Sequence, residues 1–164
     1  RAHFYKSYSN STFMYFASTQ LWYQDPTAKV DTWVSAKGLL QSGWFEHPDF
    51  PIGYRIVKKW GSTTTTIEWS GAIVTQLPDP IMIDVNTNMV VIDVGGVPTS
   101  ARPTVSKYFT QNAGNTATNY SVARVFFSSN GSVEIKRYGA NPTNPGDENR
   151  IEFTGIKYNL EVAA

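Results

Sequence analysis

Two runs, YRIVKKW (Tyr54–Trp60) and TTTTIEW (Thr63–Trp69), alternate in character on either side of Gly61-Ser62. Period-two alternation over such a length is the pattern of a strand with two different faces. Glycine at the first central position of a two-residue loop specifies a type II′ turn, whose twist suits a hairpin. That loop length dictates the register: Trp60 opposite Thr63, Lys58 opposite Thr65, Ile56 opposite Ile67 and Tyr54 opposite Trp69. The other face sets Val57 against Thr66 and Arg55 against Glu68. One face therefore collects Tyr, Ile, Ile and Trp, and the other an opposite-charge pair and threonines. The four consecutive threonines are explained by strand propensity alone.

Two further hairpins are read the same way. IMIDV (81–85) and MVVIDV (89–94) flank Asn86-Thr87-Asn88, with Ile81, Ile83 and Val85 on the face of Val90, Ile92 and Val94. YSVARVFF (120–127) and SVEIKRY (132–138) turn at Asn130-Gly131, the strongest short hairpin signal. A type I′ turn there sets Phe126 against Ile135, Val125 against Lys136 and Arg124 against Arg137. A slip of one residue sets Arg124 against Lys136. Either register puts two cations face to face, which is unfavourable unless an anion or an acidic neighbour lies close by. A last strand is read in RIEFTGIKYNLEV (150–162), where Ile156, Tyr158, Leu160 and Val162 alternate with polar residues.

Gly-, Pro-, Asn- and Thr-rich connections at 94–103, 110–119 and 139–150 separate these strands. Short strands punctuated in this way predict an all-β fold, an antiparallel β-sandwich or jelly-roll-like barrel. The chain reads as a single domain over 1–164, with an aromatic-rich segment, 1–50, packing on a sandwich formed by 51–164. Within that segment DTWVSAKGLLQSGWF predicts one short helix, with Asp31 as N-cap and Gly43 as its stop.

The totals exclude several functions. With no cysteine, disulfide scaffolds, thiolate zinc sites and thiol nucleophiles are impossible. A formal net charge of +1, from 14 basic and 13 acidic residues, argues against nucleic acid as a partner. No apolar run approaches the ~18 residues of a membrane helix, so membrane insertion is not expected. RAHFYKSYSNSTFMYF lacks the apolar core of a signal peptide, and a start at Arg1 without Met reads as a trimmed chain or an excised domain. Only 16% of residues are charged and 14% are aromatic, a balance that suits short strands and polar turns rather than helices.

No nucleophile elbow, phosphate loop, dinucleotide fingerprint or helical zinc motif occurs. Glu46, His47 and Asp49 lie close together in FEHPDF, a candidate metal or acid–base cluster whose ordinary reading is a solvated turn. Asp79, Asp84 and Asp93 are candidate carboxylates for glycosidic cleavage, although alternation places the latter two on a solvent face. NPGDEN (144–149) could offer oxygens to calcium but is equally an ordinary turn. No cofactor is expected. Arg124, Lys136 and Arg137 are candidates for an acidic sugar or phosphate, with pairing to Asp or Glu as the ordinary alternative.

The aromatics carry the functional reading. Trp and Tyr rings stack on the C–H faces of sugars while Asn, Gln, Asp and Thr hydrogen-bond their hydroxyls, so aromatic-rich polar loops on a β-sandwich suit glycan binding. Trp60 and Trp69 are assigned to a buried or subunit-facing sheet surface. Trp22, Tyr23, Trp44 and Phe45 are the candidate ligand-binding ledge.

YRIVKKWGS (54–62) followed by IVTQLPDPIMIDVN (73–86) resembles the terminal domains of bacteriophage tail fibres and related receptor-binding proteins. The matching residues are Trp60, Gly61, Leu77, Pro78, Pro80 and Ile81, with EFTGIKYNLEV (152–162) as a similar closing line. The resemblance spans Tyr54 to Val162. It implies a homotrimeric β-sandwich or barrel at a fibre tip of the virion, outside the host cell, attaching it to a bacterial surface glycan or outer-membrane receptor. It implies no particular binding residues. The expected function is thus non-catalytic host attachment. The alternatives are a carbohydrate-binding or auxiliary domain of a polysaccharide-degrading enzyme and a structural oligomerisation domain of a virion protein.

Overall fold

The computed structural model describes residues 32–58, 64–75, 87–114, 121–138 and 150–160. Trp22, Tyr23, Asp31, Trp60, the Gly61-Ser62 turn, strand 81–85, Asp79, Asp84 and the 144–149 loop lie outside them. Apart from one 3-10 turn, the regular structure among the described residues is all strand, in antiparallel pairs, as the alternation predicts.

Eleven strands form two sheets among the described residues. The smaller holds β1 (Val34–Ser35), β3 (Gly53–Lys58), β4 (Thr65–Ser70) and β11 (Lys157–Leu160), in the order β1-β3-β4-β11. The larger holds β2 (Trp44–Glu46), β5 (Ala72–Thr75), β6 (Met89–Ile92), β7 (Lys107–Ala113), β8 (Ser121–Phe127), β9 (Val133–Tyr138) and β10 (Ile151–Glu152), in the order β2-β5-β10-β7-β8-β9-β6. A bridge from Leu40 to Ile92 and a bond from the Gln41 N–H to the Val91 carbonyl tie the chain entering β2 to β6. Those two strands are the edges of the larger sheet, which is therefore nearly closed.

The β3–β4 ladder has the register that a two-residue Gly61-Ser62 loop imposes: Tyr54 opposite Trp69, Arg55 opposite Glu68, Ile56 opposite Ile67, Val57 opposite Thr66, Lys58 opposite Thr65. Its apolar face, extended by Tyr158 of β11, packs onto the larger sheet. Trp69 sits at the centre, its ring 5.2 Å from that of Tyr54, 5.1 Å from Phe127 and 5.9 Å from Phe153. Its Nε1–H donates to the Tyr158 hydroxyl at 3.2 Å, and that hydroxyl donates to the Ala101 carbonyl at 2.6 Å. The outer face carries Glu68 between Arg55 and Lys157, at 2.7 and 2.9 Å. Hydrogen bonds from Lys157 and Arg55 hold the Glu68 carboxyl below its ordinary value.

Burial raises the Tyr158 phenol above its ordinary value, and the Tyr54 phenol as well. Both favour the neutral form in the fold. Their contribution is therefore complete below the unfolded tyrosine value of about 10 and is lost as pH rises from there through the raised folded values. The stability measured by urea denaturation should hold steady from neutral to mildly alkaline pH and then fall by up to ~1.4 kcal/mol per pH unit per phenol. Tyr158→Phe should make that fall shallower.

The β8–β9 hairpin takes the slipped register, Arg124 opposite Lys136 and Phe126 opposite Glu134. The connection is a three-residue loop, not a two-residue type I′ turn. Gly131 donates to the Ser128 carbonyl and Ser128 to the Ser132 carbonyl, both at 3.0 Å, and Gly131 has φ +89°. A turn followed by a left-handed glycine adds the bulge that shifts the pairing by one residue.

Three further expectations are corrected. β6 pairs with β9 through a bulge at Val91, so Val91 and Ile92 are both buried while Val90 and Val94 are exposed. Val90, Ile92 and Val94 thus share no face. The expected helix contracts to one 3-10 turn, Lys37–Leu39, because Val34–Ser35 and Trp44–Glu46 are drawn into sheet pairing on either side. The closing run is divided at a turn with Gly155 at φ +90°. Its first part, β10, joins the larger sheet and its second, β11, the smaller.

β4 and β5 change sheet in the same way at Gly71, φ +91°. The two corners lie together. Gly71 accepts from the N–H groups of Phe153 and Thr154 at 2.8 and 3.2 Å, and its own N–H donates to the Thr154 hydroxyl at 3.0 Å.

Candidate functional site

The sequence around this double corner builds a cleft. In His47-Pro48-Asp49-Phe50 the Phe50 N–H closes a turn onto the His47 carbonyl at 3.2 Å, with proline in the second position that such turns favour. The Asp49 N–H donates to His47 Nδ1 at 3.1 Å, and the Phe50 carbonyl takes the N–H of Ala72 at 2.9 Å. The turn is thereby bonded to the strand leaving the Gly71 corner. Opposite it, β1 adds to the edge of β3 through Val34–Tyr54 and Ser35–Gly53. Between them lies a cavity of about 500 Å³.

Its walls include Trp33 (48% exposed) and Phe50 (45%), with Asp49, Ser35, Ser70 and Thr154 as polar lining. Each aromatic is backed by an arginine that is itself held by a glutamate. The Arg55 guanidinium lies 4.8 Å from the Trp33 ring centre and pairs with Glu68. The Arg150 guanidinium lies 4.3 Å from the Phe50 ring centre and pairs with Glu152. Cation–π contacts of this kind contribute about 0.5–1 kcal/mol each at exposed sites. They also hold two half-exposed rings in place before any ligand arrives. Among the described residues, Asp49 is the one carboxylate in the lining.

Of the four residues read as a ledge, Trp22 and Tyr23 lie outside the described residues. Trp44 and Phe45 are neighbours on β2 and so point to opposite sides of it. Trp44, 7% exposed, joins the core, whereas Phe45 is 44% exposed. Both contribute to a smaller recess of about 280 Å³ with Lys37, Leu40 and Glu46.

The Glu46, His47 and Asp49 cluster is pulled apart by structure. Glu46 pairs with Lys37 at 2.9 Å, and His47 is buried beneath the turn it helps to close. Among the described residues no group of three His, Cys, Asp or Glu side chains is placed to hold a metal ion. Asp93 accepts a hydrogen bond from the Gln41 amide.

Arg137 is fully buried and faces inward, its Nε donating to the Ser121 hydroxyl at 2.8 Å, with burial lowering its pKa. It is thereby separated from Arg124 and Lys136, which face outward.

Nothing in the local sequence singles out Trp33 and Phe50 as partners. The one signal it offers is an aromatic inside a proline-bounded turn, Pro48 to Pro51. What brings that turn against β1 is the distant Gly71 corner, which no local pattern announces. Comparison with family models, curated proteins and solved structures returned no match.

Proposed function

We propose that this domain is a non-catalytic receptor-binding module of a phage tail fibre or spike that recognises bacterial surface carbohydrate. The observation that carries this reading is the corner cleft, where two half-exposed, arginine-backed aromatic rings share walls with a carboxylate and three hydroxyl-bearing side chains. Rings stack on the apolar faces of a sugar, and Asp49, Ser35 and Ser70 offer hydrogen-bonding partners to its hydroxyls. The all-β architecture agrees with the resemblance to fibre terminal domains, from which a homotrimer is further proposed.

A screen of the folded protein against lipopolysaccharide and cell-wall fragments tests the proposal. Binding is expected, and Trp33→Ala or Phe50→Ala should weaken it about tenfold without changing the circular dichroism spectrum, since fully burying a large apolar side chain contributes roughly 1.5–3 kcal/mol. Retained affinity in the double variant would remove the cleft from consideration. Sedimentation should give three times the 18.3 kDa chain mass.

A further inference from the structure

The outer face of β7–β8–β9 shows a second constellation, none of whose residues line the corner cleft. The ladders align three rows across it. Tyr108 stands opposite Phe126, which stands opposite Glu134; Thr110 opposite Arg124, then Lys136; Asn112 opposite Val122, then Tyr138. Tyr108 and Phe126 stack at 4.5 Å with 25° between ring planes, and Tyr108 is 60% exposed. The Arg124 guanidinium lies 4.9 Å from the Tyr108 ring centre, and Lys136 Nζ 5.7 Å from that of Tyr138.

The middle row is the informative one. Arg124 and Lys136 are directly opposed, a pairing that places Cβ atoms about 4.5–5.5 Å apart and is destabilising for like charges. Among the described residues neither forms an ion pair, and the Arg124 Nε has no hydrogen-bond partner. Glu134 shares the face but pairs with neither cation. Two cations without an ion pair among the described residues, with an aromatic stack on one side and a tyrosine on the other, form a site complementary to an anion attached to a ring-bearing chain.

We infer that this face is a binding site for an acidic saccharide, its carboxylate or phosphate held between Arg124 and Lys136 and a neighbouring sugar ring packed against the exposed side of the Tyr108–Phe126 pair. The saccharide half of this assignment rests on the reading of the domain as a carbohydrate-binding module; the anion half rests on the sheet geometry alone. A single-stranded nucleic acid would use similar elements, but such grooves track many phosphates with many cations, and this face has two in a chain of net charge +1.

The test is calorimetric titration of the full chain with an oligouronate, a phosphate-bearing oligosaccharide, a neutral oligosaccharide of equal length and a single-stranded DNA oligonucleotide. At least one acidic oligosaccharide should bind, more weakly as salt is added, and which of the two binds identifies the anion. Arg124→Gln and Lys136→Gln should each reduce that affinity at least tenfold, Tyr108→Ala should reduce it severalfold, and Lys58→Gln, which removes an exposed charge from the smaller sheet, should leave it unchanged. Lys136→Gln guards against loss of folding in the Arg124 variant. Failure of both acidic ligands to bind, equal binding of the neutral one, or tighter binding of DNA overturns the inference. So does self-association that is lost in Tyr108→Ala, which would assign the face to a second copy. If Trp33→Ala has no effect on any glycan while Arg124→Gln abolishes acidic binding, the cleft reading fails and this one stands.

Discussion

Gly71→Ala is expected to destabilise the domain by about 3–5 kcal/mol, a large share of the ~5–15 kcal/mol by which single domains are stable. Two costs combine. The residue has φ +91°, where an L side chain is strained, and an added Cβ would stand 2.5 Å from the Pro51 carbonyl carbon and closer still to its oxygen. Those neighbours are backbone atoms of the turn that walls the cleft, so they cannot move aside as a flexible side chain would. Gly95 is the control. It too has a positive φ, +80°, but nothing lies within 4 Å of where its methyl group would stand, so Gly95→Ala should cost only about 1–2 kcal/mol. Urea denaturation of the two variants measures the difference. Equal losses would mean that backbone strain, and not the close approach of the turn to the corner, governs the site.

Trp69→Ala should also cost about 3–5 kcal/mol. The ring is fully buried and touches aromatics from both sheets: Tyr54 from the smaller, Phe127 from the larger, and Phe153 from the segment that crosses between them. Its removal leaves a cavity where the sheets meet and strips the Tyr158 hydroxyl of its donor. Trp69→Phe keeps most of the volume but not the indole N–H, so it should fall between wild type and Trp69→Ala. Thermal unfolding followed by near-ultraviolet circular dichroism reports both variants. A loss in Trp69→Ala no greater than that of an exposed-residue substitution would place the structural centre elsewhere.

The two hairpins differ in how much of them is legible locally. In β3–β4 every described pair that the two-residue loop imposes is formed, because alternation and loop length both act between residues close in sequence. In β8–β9 the same kind of signal, Asn-Gly, marks the hairpin but leaves two registers open. The choice is made by Ser128 and Ser132 pairing around three residues, and by a loop that grips the hairpin tip: Gly95 donates to the Asn130 carbonyl, Val97 to that of Gly131, and the Arg102 side chain to that of Val97. That choice aligns Arg124 with Lys136 and sends Arg137 into the interior.

The candidate sites follow the same division. Aromatic content points to Trp22, Tyr23, Trp44 and Phe45, but composition carries no sidedness. Once β2 joins β5, with Trp44 opposite Thr75 and Phe45 opposite Val74, the pleat turns Trp44 to the core and Phe45 away from it. Trp33 and Phe50 become cleft walls only because β1 docks on β3 while the Pro48–Pro51 turn docks on β5.

Strand character, the polar and apolar faces of the β3–β4 hairpin and the antiparallel class were therefore set by the amino-acid sequence itself, since period-two alternation and turn residues act over a few neighbouring positions. Which sheet each strand entered, where Gly71 and Gly155 turned the chain from one layer to the other, and which aromatics and cations came to share a surface were decided by tertiary packing. These are contacts between segments distant in the chain, and their energies depend on shapes that exist only once both sheets are assembled.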